Sequence, residues 1–159
     1  MNLSYKIISS PIGELQIVAS NAGLRAVSTQ KFWLPASDDL AENNNHHILL
    51  KTEVQLAEYF PGKRKVFDIK LEMRGTVFQI NAWRELTKIP YGTTISYGEQ
   101  AARLGDAKKA RAVGAANGRN PLLIIVPCHR VIGANGGLTG YASGVETKEF
   151  LLGLEQSFA

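Results

Sequence analysis

The single cysteine of this chain stands at the end of an apolar run, where Ile124-Ile125-Val126-Pro127 is followed by Cys128-His129-Arg130. A thiolate is a strong, soft nucleophile, and cationic neighbours or an adjacent base raise its population near neutral pH. Because proline sets its own φ and has no N–H, we predict that an apolar strand stops pairing at Pro127 and presents Cys128 at a strand end. Neighbouring strand residues point to opposite faces, so contact between Cys128 and His129 requires a turn or a bridging water. The alternative is that Cys128 is a small buried hydrophobic residue without chemistry.

Composition places this chain among globular proteins. Its 159 residues are 45% hydrophobic and 20% charged, enough for one sizeable core or two small ones. One cysteine excludes an internal disulfide framework, and residues 1–6 lack the pattern of a secretion signal. No apolar run reaches membrane-spanning length. We therefore expect a cytoplasmic protein without a membrane partner.

The net charge of +4 is unevenly distributed along the chain. Residues 1–72 carry eight Lys/Arg and eight Asp/Glu, whereas residues 73–159 carry ten and six. Most of the excess lies between positions 103 and 130, where Asp106 is the one acidic residue among six basic ones: Arg103, Lys108, Lys109, Arg111, Arg119 and Arg130. This asymmetry predicts a polyanionic partner, with a solvated basic face as the alternative.

The first segment, residues 1–73, is predicted to be a small α+β supporting domain. We expect a hairpin of residues 3–9 and 14–20, a third strand over 24–28, and a final strand over 66–71. Residues 30–47 have the composition of a loop, and residues 48–60 have helical spacing that ends at Pro61-Gly62. His46 and His47 have too few partners for a closed zinc site, so no metal and no cofactor is expected.

The second segment, residues 74–159, is predicted to be mainly helical. Thr76 can cap a first helix that ends before Pro90. Ser96 and Glu99 have the spacing of a capping box for a helix that runs through Leu104. Asp106 can cap a further helix over 107–117, and two short helices joined by a tight glycine turn favour a helix-turn-helix.

The second of these helices has very little bulk. Its side chains include Ala110, Ala112, Gly114, Ala115 and Ala116. Small residues commonly indicate close helix packing, but here Lys108 and Arg111 share a face with Ala115. A helix this thin can approach nucleic acid closely, and we hypothesise that it enters the narrow minor groove.

Several motifs appear together in an order that resembles the O6-alkylguanine-DNA alkyltransferase family. They cover the chain from about Phe78 to Glu155, and the weakly patterned first segment also fits that family. The motifs are Arg111-Ala112-Val113-Gly114, Asn120-Pro121, Pro127-Cys128-His129-Arg130-Val131, Gly140-Tyr141 and the segment from Lys148 to Glu155.

The resemblance implies an α+β two-domain protein that repairs DNA directly. Such a protein flips the damaged nucleotide out of duplex DNA and transfers an alkyl group irreversibly, and once only, from O6 of guanine to Cys128. The sequence leaves open activity toward O4 of thymine and cooperative binding to DNA; a monomer is expected.

The resemblance also implies roles for individual residues. His129 matches the base that acts through a water, Glu155 the acid that orients it, and Asn120 the asparagine between the DNA-binding helix and the reactive strand. Tyr141 matches a proton donor to O6. The implied DNA-binding residues are Arg111, which replaces the flipped base, Tyr97, which helps to rotate it, and Lys108, Ala112, Gly114 and Ala115. The implied substrate pocket comprises Tyr141, Ser143 and Val131.

Three other functions remain to be compared with this one. A non-enzymatic sensor of alkylated bases belongs to a related class, but those relatives replace the cysteine that is present here. A cysteine hydrolase would leave the basic, thin helix unexplained. A helix-turn-helix regulator with a structural cysteine would need an effector domain that the short first segment does not suggest.

Overall fold

The computed structural model describes residues 2–138 and 141–159, which form two compact units that divide between Arg74 and Gly75. The expected α+β class is confirmed, with a small sheet and helix in the first unit and a mainly helical second unit. No helix within the described ranges is both long and apolar enough to cross a membrane. The same residues contain no group of three or more His, Cys, Asp and Glu side chains that could hold a metal ion.

The first unit is a four-stranded sheet with a helix. Strands β1 (Leu3–Ile8), β2 (Leu15–Ala19) and β3 (Leu24–Thr29) are successively antiparallel, as the alternating pattern predicted. Helix α1 (His47–Tyr59) buries Leu49, Leu56 and Tyr59. The core of this unit includes Val18, Ala26 and Leu40.

Two predictions for this unit were wrong. The segment predicted as a loop, residues 30–47, contains a 3-10 turn at Gln30–Phe32 and strand β4 (Leu40–Glu42), which pairs in parallel with β1. The strand predicted over 66–71 does not form, and Leu71 makes only an isolated bridge to Leu24. Gln55 explains part of this, because its side-chain amide bonds both backbone groups of Asp68 and so takes the place of a strand partner.

The second unit begins with helix α2 (Val77–Leu86), whose N-cap Thr76 forms a reciprocal capping box with Gln79. A two-residue strand, β5 (Ile95–Ser96), leads into α3 (Tyr97–Arg103). Ser96 caps α3 through the Glu99 N–H as predicted, but the Glu99 carboxylate binds Arg103 instead of returning to the cap. The predicted helix over 107–117 begins as a 3-10 turn, Ala107–Lys109, and continues as α4 (Ala110–Gly118).

The prediction of an apolar strand that ends at Pro127 is wrong, because no strand forms between α4 and Cys128 among the described residues. Leu122 to Val126 are all buried, but their backbone turns, and Ile124 has a φ of 70°. This is the left-handed region that a β-branched residue rarely occupies. Cys128–Arg130 then forms a 3-10 turn, followed by β6 (Val131–Ile132), which pairs in parallel with β5. Helix α5 (Val145–Phe158) completes the unit.

Candidate active site

The Cys128 thiol lies in the 3-10 turn and is 9% exposed. Asn120 holds the approach to this turn, because its amide donates to the Val126 carbonyl at 2.7 Å and accepts from the Leu122 N–H at 2.9 Å. Burial raises the pKa of the Cys128 thiol, while a hydrogen bond from Asn120 and the charge of Lys148 oppose that shift. The thiol is therefore protonated at neutral pH and needs a base before it can attack.

The expectation that Arg130 directly favours the Cys128 thiolate is wrong. The guanidinium of Arg130 is turned toward Glu155, with Nε 2.8 Å from Oε1 and Nη2 3.0 Å from Oε2. The negative charge of the bound carboxylate cancels much of the field that this cation would exert on the thiol, and Arg130 is not among the groups that shift the Cys128 pKa. A guanidinium is itself too weakly acidic to act as a base or an acid near neutral pH, so the neighbour of Cys128 that can accept a proton is His129.

His129 is fully buried and directly contacts Glu155 on α5. Its Nε2 lies 2.7 Å from Glu155 Oε2. Burial lowers the pKa of His129, and the hydrogen bond and charge of Glu155 only partly oppose that shift. Burial alone raises the pKa of Glu155, but its bonds to His129 and Arg130 hold that pKa well below its usual range. Glu155 is thus an anion that accepts Nε2–H of a neutral imidazole.

This arrangement determines which His129 nitrogen can accept a proton. With Nε2 protonated and bound to Glu155, the lone pair of the neutral ring lies on Nδ1. Nδ1 is buried and has no hydrogen-bond partner among the described residues. His129 can therefore accept a proton at Nδ1.

Lys148 on α5 is a buried cation that sequence reasoning did not single out. Its Nζ donates to the Val131 carbonyl at 2.6 Å and lies 3.5 Å from the Tyr97 hydroxyl. The side chain is 1% exposed, and burial lowers its pKa while the Cys128 thiolate charge opposes that shift. Lys148 begins the last of the motifs named above. A lysine in an amphipathic helix is usually exposed to solvent, so the spacing of residues did not indicate that this one is buried.

The thin helix α4 has one buried face and one exposed face. Val113, Ala116 and Asn117 are buried, and the Ala116 carbonyl accepts the indole N–H of Trp83 at 2.8 Å. The exposed positions are those of the predicted nucleic-acid face: Lys108 in the preceding turn, Arg111, Ala112 and Ala115. Gly114 is half-buried, and a Cβ added there would lie 3.7 Å from the Tyr97 ring. Tyr97 thus packs between α4 and Lys148.

Comparison with known proteins identifies the family. Residues 3–73 match the model of the 6-O-methylguanine DNA methyltransferase, ribonuclease-like domain, and residues 77–157 match the DNA binding domain of the same protein. The chain belongs to the 6-O-methylguanine DNA methyltransferase family.

Individual relatives agree over nearly the whole chain. The methylated-DNA–protein-cysteine methyltransferase of Methanosarcina acetivorans is 50% identical over 155 residues, covering 96% of this chain and 98% of that protein. The constitutive protein of the same name from Bacillus subtilis is 44% identical, covering 96% and 94%. The crystal structure of Mycobacterium tuberculosis OGT in complex with DNA has a TM-score of 0.91 at 44% identity, covering 98% of this chain and 94% of that one.

The remaining residues implied by the family resemblance lie on or near the loop before α5. Tyr141 is buried and Ser143 is half-buried. Val131 is fully buried in β6 and contacts Lys148 through its carbonyl. Gly140 of the Gly140-Tyr141 motif lies outside the described residues. The structure therefore brings His129 into contact with Glu155. It also brings Val131 and Tyr97 into contact with Lys148.

Proposed function

We propose that this protein is a methylated-DNA–protein-cysteine methyltransferase that repairs duplex DNA containing O6-alkylguanine. The observation that carries the proposal is a buried thiol beside a neutral histidine oriented by a buried carboxylate, in a unit that also exposes a thin basic helix. The names of the relatives and the DNA-bound neighbour support the same activity.

The chemical step is an in-line displacement at the alkyl carbon. The Cys128 proton passes through a water to His129 Nδ1, and the sulfur forms a bond to the alkyl carbon as the carbon–O6 bond breaks. The electron pair of that bond stays on the guanine, whose oxygen is protonated by Tyr141. The proton gained by His129 balances the one lost by Tyr141. The product is a thioether that is not readily hydrolysed, so each protein acts once.

The target atom lies inside the duplex, so the nucleotide must leave the stack at a cost of a few kcal/mol. Arg111 is exposed in the first turn of α4. In this proposal it fills the space left by the base. Tyr97 assists rotation of the nucleotide, and Ala112, Gly114 and Ala115 allow the helix to approach the groove. Val131, Tyr141 and Ser143 form the guanine pocket. The protein acts as a monomer in the cytoplasm, where its thiol remains reduced.

The test is the intact mass of the protein after incubation with a duplex that contains one O6-methylguanine. We expect a gain of one methyl group per protein, located on Cys128 by peptide mapping. Cys128→Ala should bind the same duplex without any mass change. Transfer that persists in Cys128→Ala would exclude Cys128 as the acceptor, and lesion-dependent binding of the wild type without transfer would favour the sensor function.

A further inference from the structure

Arg130 is held from three directions at the base of the proposed active site. Its Nε and Nη2 bind the two oxygens of Glu155, and its Nη1 donates to the Ile89 carbonyl at 2.7 Å. The Tyr91 ring lies 5.7 Å from the guanidinium carbon. With side-chain exposures of 7% for Arg130 and 1% for Glu155, this is a buried bidentate pair with little freedom to rearrange.

The Glu155 carboxylate is fully engaged by these contacts. Oε2 accepts from both Arg130 Nη2 and His129 Nε2, and Oε1 accepts from Arg130 Nε and, at 3.3 Å, from the Gly92 N–H. A carboxylate bound at both oxygens cannot rotate about its terminal bond without breaking several hydrogen bonds. The direction in which Nδ1 of His129 points is therefore set by Arg130 through Glu155.

Charge gives the same residue a second effect on His129. The groups that act on the imidazole are Glu155 and Lys148 of α5 and Arg130 of its own turn. Arg130 and Lys148 lower the pKa of His129, whereas Glu155 raises it. Without Arg130, the uncompensated Glu155 charge would favour the imidazolium, which cannot accept a proton from Cys128.

We propose that Arg130 is a positioning residue for alkyl transfer: by binding both oxygens of Glu155 it aims the His129 imidazole and keeps that imidazole available as a neutral base. The inference rests on the proposed function for the reaction that His129 serves. Arg130 acts through Glu155 and touches neither the alkyl group nor the guanine.

The experiment combines a titration with a rate profile. The chain has three histidines, so ¹⁵N NMR of the imidazoles can follow His129 in the unreacted protein. We expect Arg130→Gln to raise the pKa of His129 and to move the acid limb of the transfer rate to higher pH. A base must be both deprotonated and correctly aimed to act, so the rate at pH 7 should fall, by roughly 100-fold where the base is lost altogether, the lower end of the usual contribution of general-base catalysis.

Two controls separate this effect from structural damage. Arg84→Gln removes an exposed arginine of the same unit and should change neither the His129 pKa nor the acid limb of the transfer rate. Leu86→Ala weakens the core of the unit but removes no charge and no side-chain hydrogen bond, and should lower stability while leaving the His129 pKa in place. If Arg130→Gln behaves like Leu86→Ala, with an unmoved His129 pKa and an unmoved acid limb, Arg130 is only structural.

Arg130→Lys covers the case in which Arg130→Gln is too unstable to titrate. Lysine keeps the positive charge but lacks the planar guanidinium that binds both oxygens of Glu155. We expect the acid limb to stay in place and the rate to fall at every pH, and a rate equal to wild type would overturn the positioning role. The titration needs no alkyl transfer, so absence of transfer in the wild type would refute the proposed function and not the effect of Arg130 on His129.

Discussion

A buried thiol with a raised pKa is protected from oxidation and stray alkylation, because the thiolate is the reactive form. Such protection suits a protein that is proposed to use Cys128 once. The same protection slows the intended reaction unless nearby groups favour the thiolate during attack. Among the residues that the structure describes, Lys148 is the cation whose charge opposes the rise of the Cys128 pKa.

Lys148→Met is therefore expected to slow attack by Cys128. Removing the charge takes away a group that stabilises the thiolate, and a nearby cation typically changes thiol reactivity by roughly tenfold or more. Stopped-flow kinetics with methyl methanethiosulfonate, a small thiol reagent, should show a lower rate near neutral pH and a midpoint shifted to higher pH. The reagent probes the thiol without requiring DNA.

Two matched variants give this prediction its control. Lys148→Arg keeps the charge and should retain much of the rate, whereas Lys88→Met removes a lysine whose side chain is 68% exposed and should have no effect. Equal rates in the wild type and in a folded Lys148→Met protein would show that Lys148 serves packing alone.

The family resemblance was sufficient to predict that Glu155 binds His129, and the structure contains that contact. It was not sufficient to predict that Arg130 faces Glu155. Sequence neighbours of a cysteine are expected to act on that cysteine, but a 3-10 turn sends adjacent side chains in different directions. Only the packing of α5 brings Glu155 to both His129 and Arg130.

At the scale of elements, the slimness of α4 is the feature with the clearest functional consequence. Ala115 lies on the exposed face of α4, so a larger side chain there should not disturb the core. We expect Ala115→Leu to leave the melting temperature almost unchanged and to weaken binding to duplex DNA. A loss of roughly tenfold or more is expected, since a steric cost of 1.4 kcal/mol already gives a factor of ten.

Fluorescence anisotropy with a labelled duplex measures this loss directly. Ala57→Leu, on the exposed face of α1, adds the same bulk to a helix of the other unit and should bind DNA as tightly as the wild type. If Ala115→Leu also binds normally, α4 does not approach DNA through this face.

Helices that begin at a capping residue were predicted well, whereas the structure of the apolar segment without a cap was predicted wrongly. Thr76 and Ser96 each mark a helix start through a local bond that sequence spacing reveals. The run from Leu122 to Val126 is buried throughout, as expected, but a buried strand and a buried turn have the same apolar signature. The bonds of Asn120 to both ends of this run favour the turn, and both are local, so the Asn120-Pro121 pair was the available turn signal that the apolar run outweighed.

At the scale of the whole molecule, the charge is concentrated in one unit. Residues 73–159 hold the excess of basic residues, and the exposed members around α4 include Lys108, Lys109 and Arg119. Phosphate contacts by such residues release counterions from DNA, which makes binding weaken as salt rises. The proposed function therefore predicts a steep salt dependence that originates in the second unit.

Lys108→Gln removes one of these charges and tests whether the salt dependence of DNA binding originates in the second unit. If Lys108 contacts a phosphate, its loss should reduce the slope of log K against log salt by about 0.9 and weaken binding to damaged and undamaged duplexes alike. Lys63→Gln removes an exposed lysine of the first unit and should leave the slope unchanged. Titrations of both variants at several salt concentrations distinguish a local phosphate contact from a general effect of net charge, because the two substitutions change net charge equally. Equal slopes for the two variants would mean that Lys108 contacts no phosphate and lies on a solvated face.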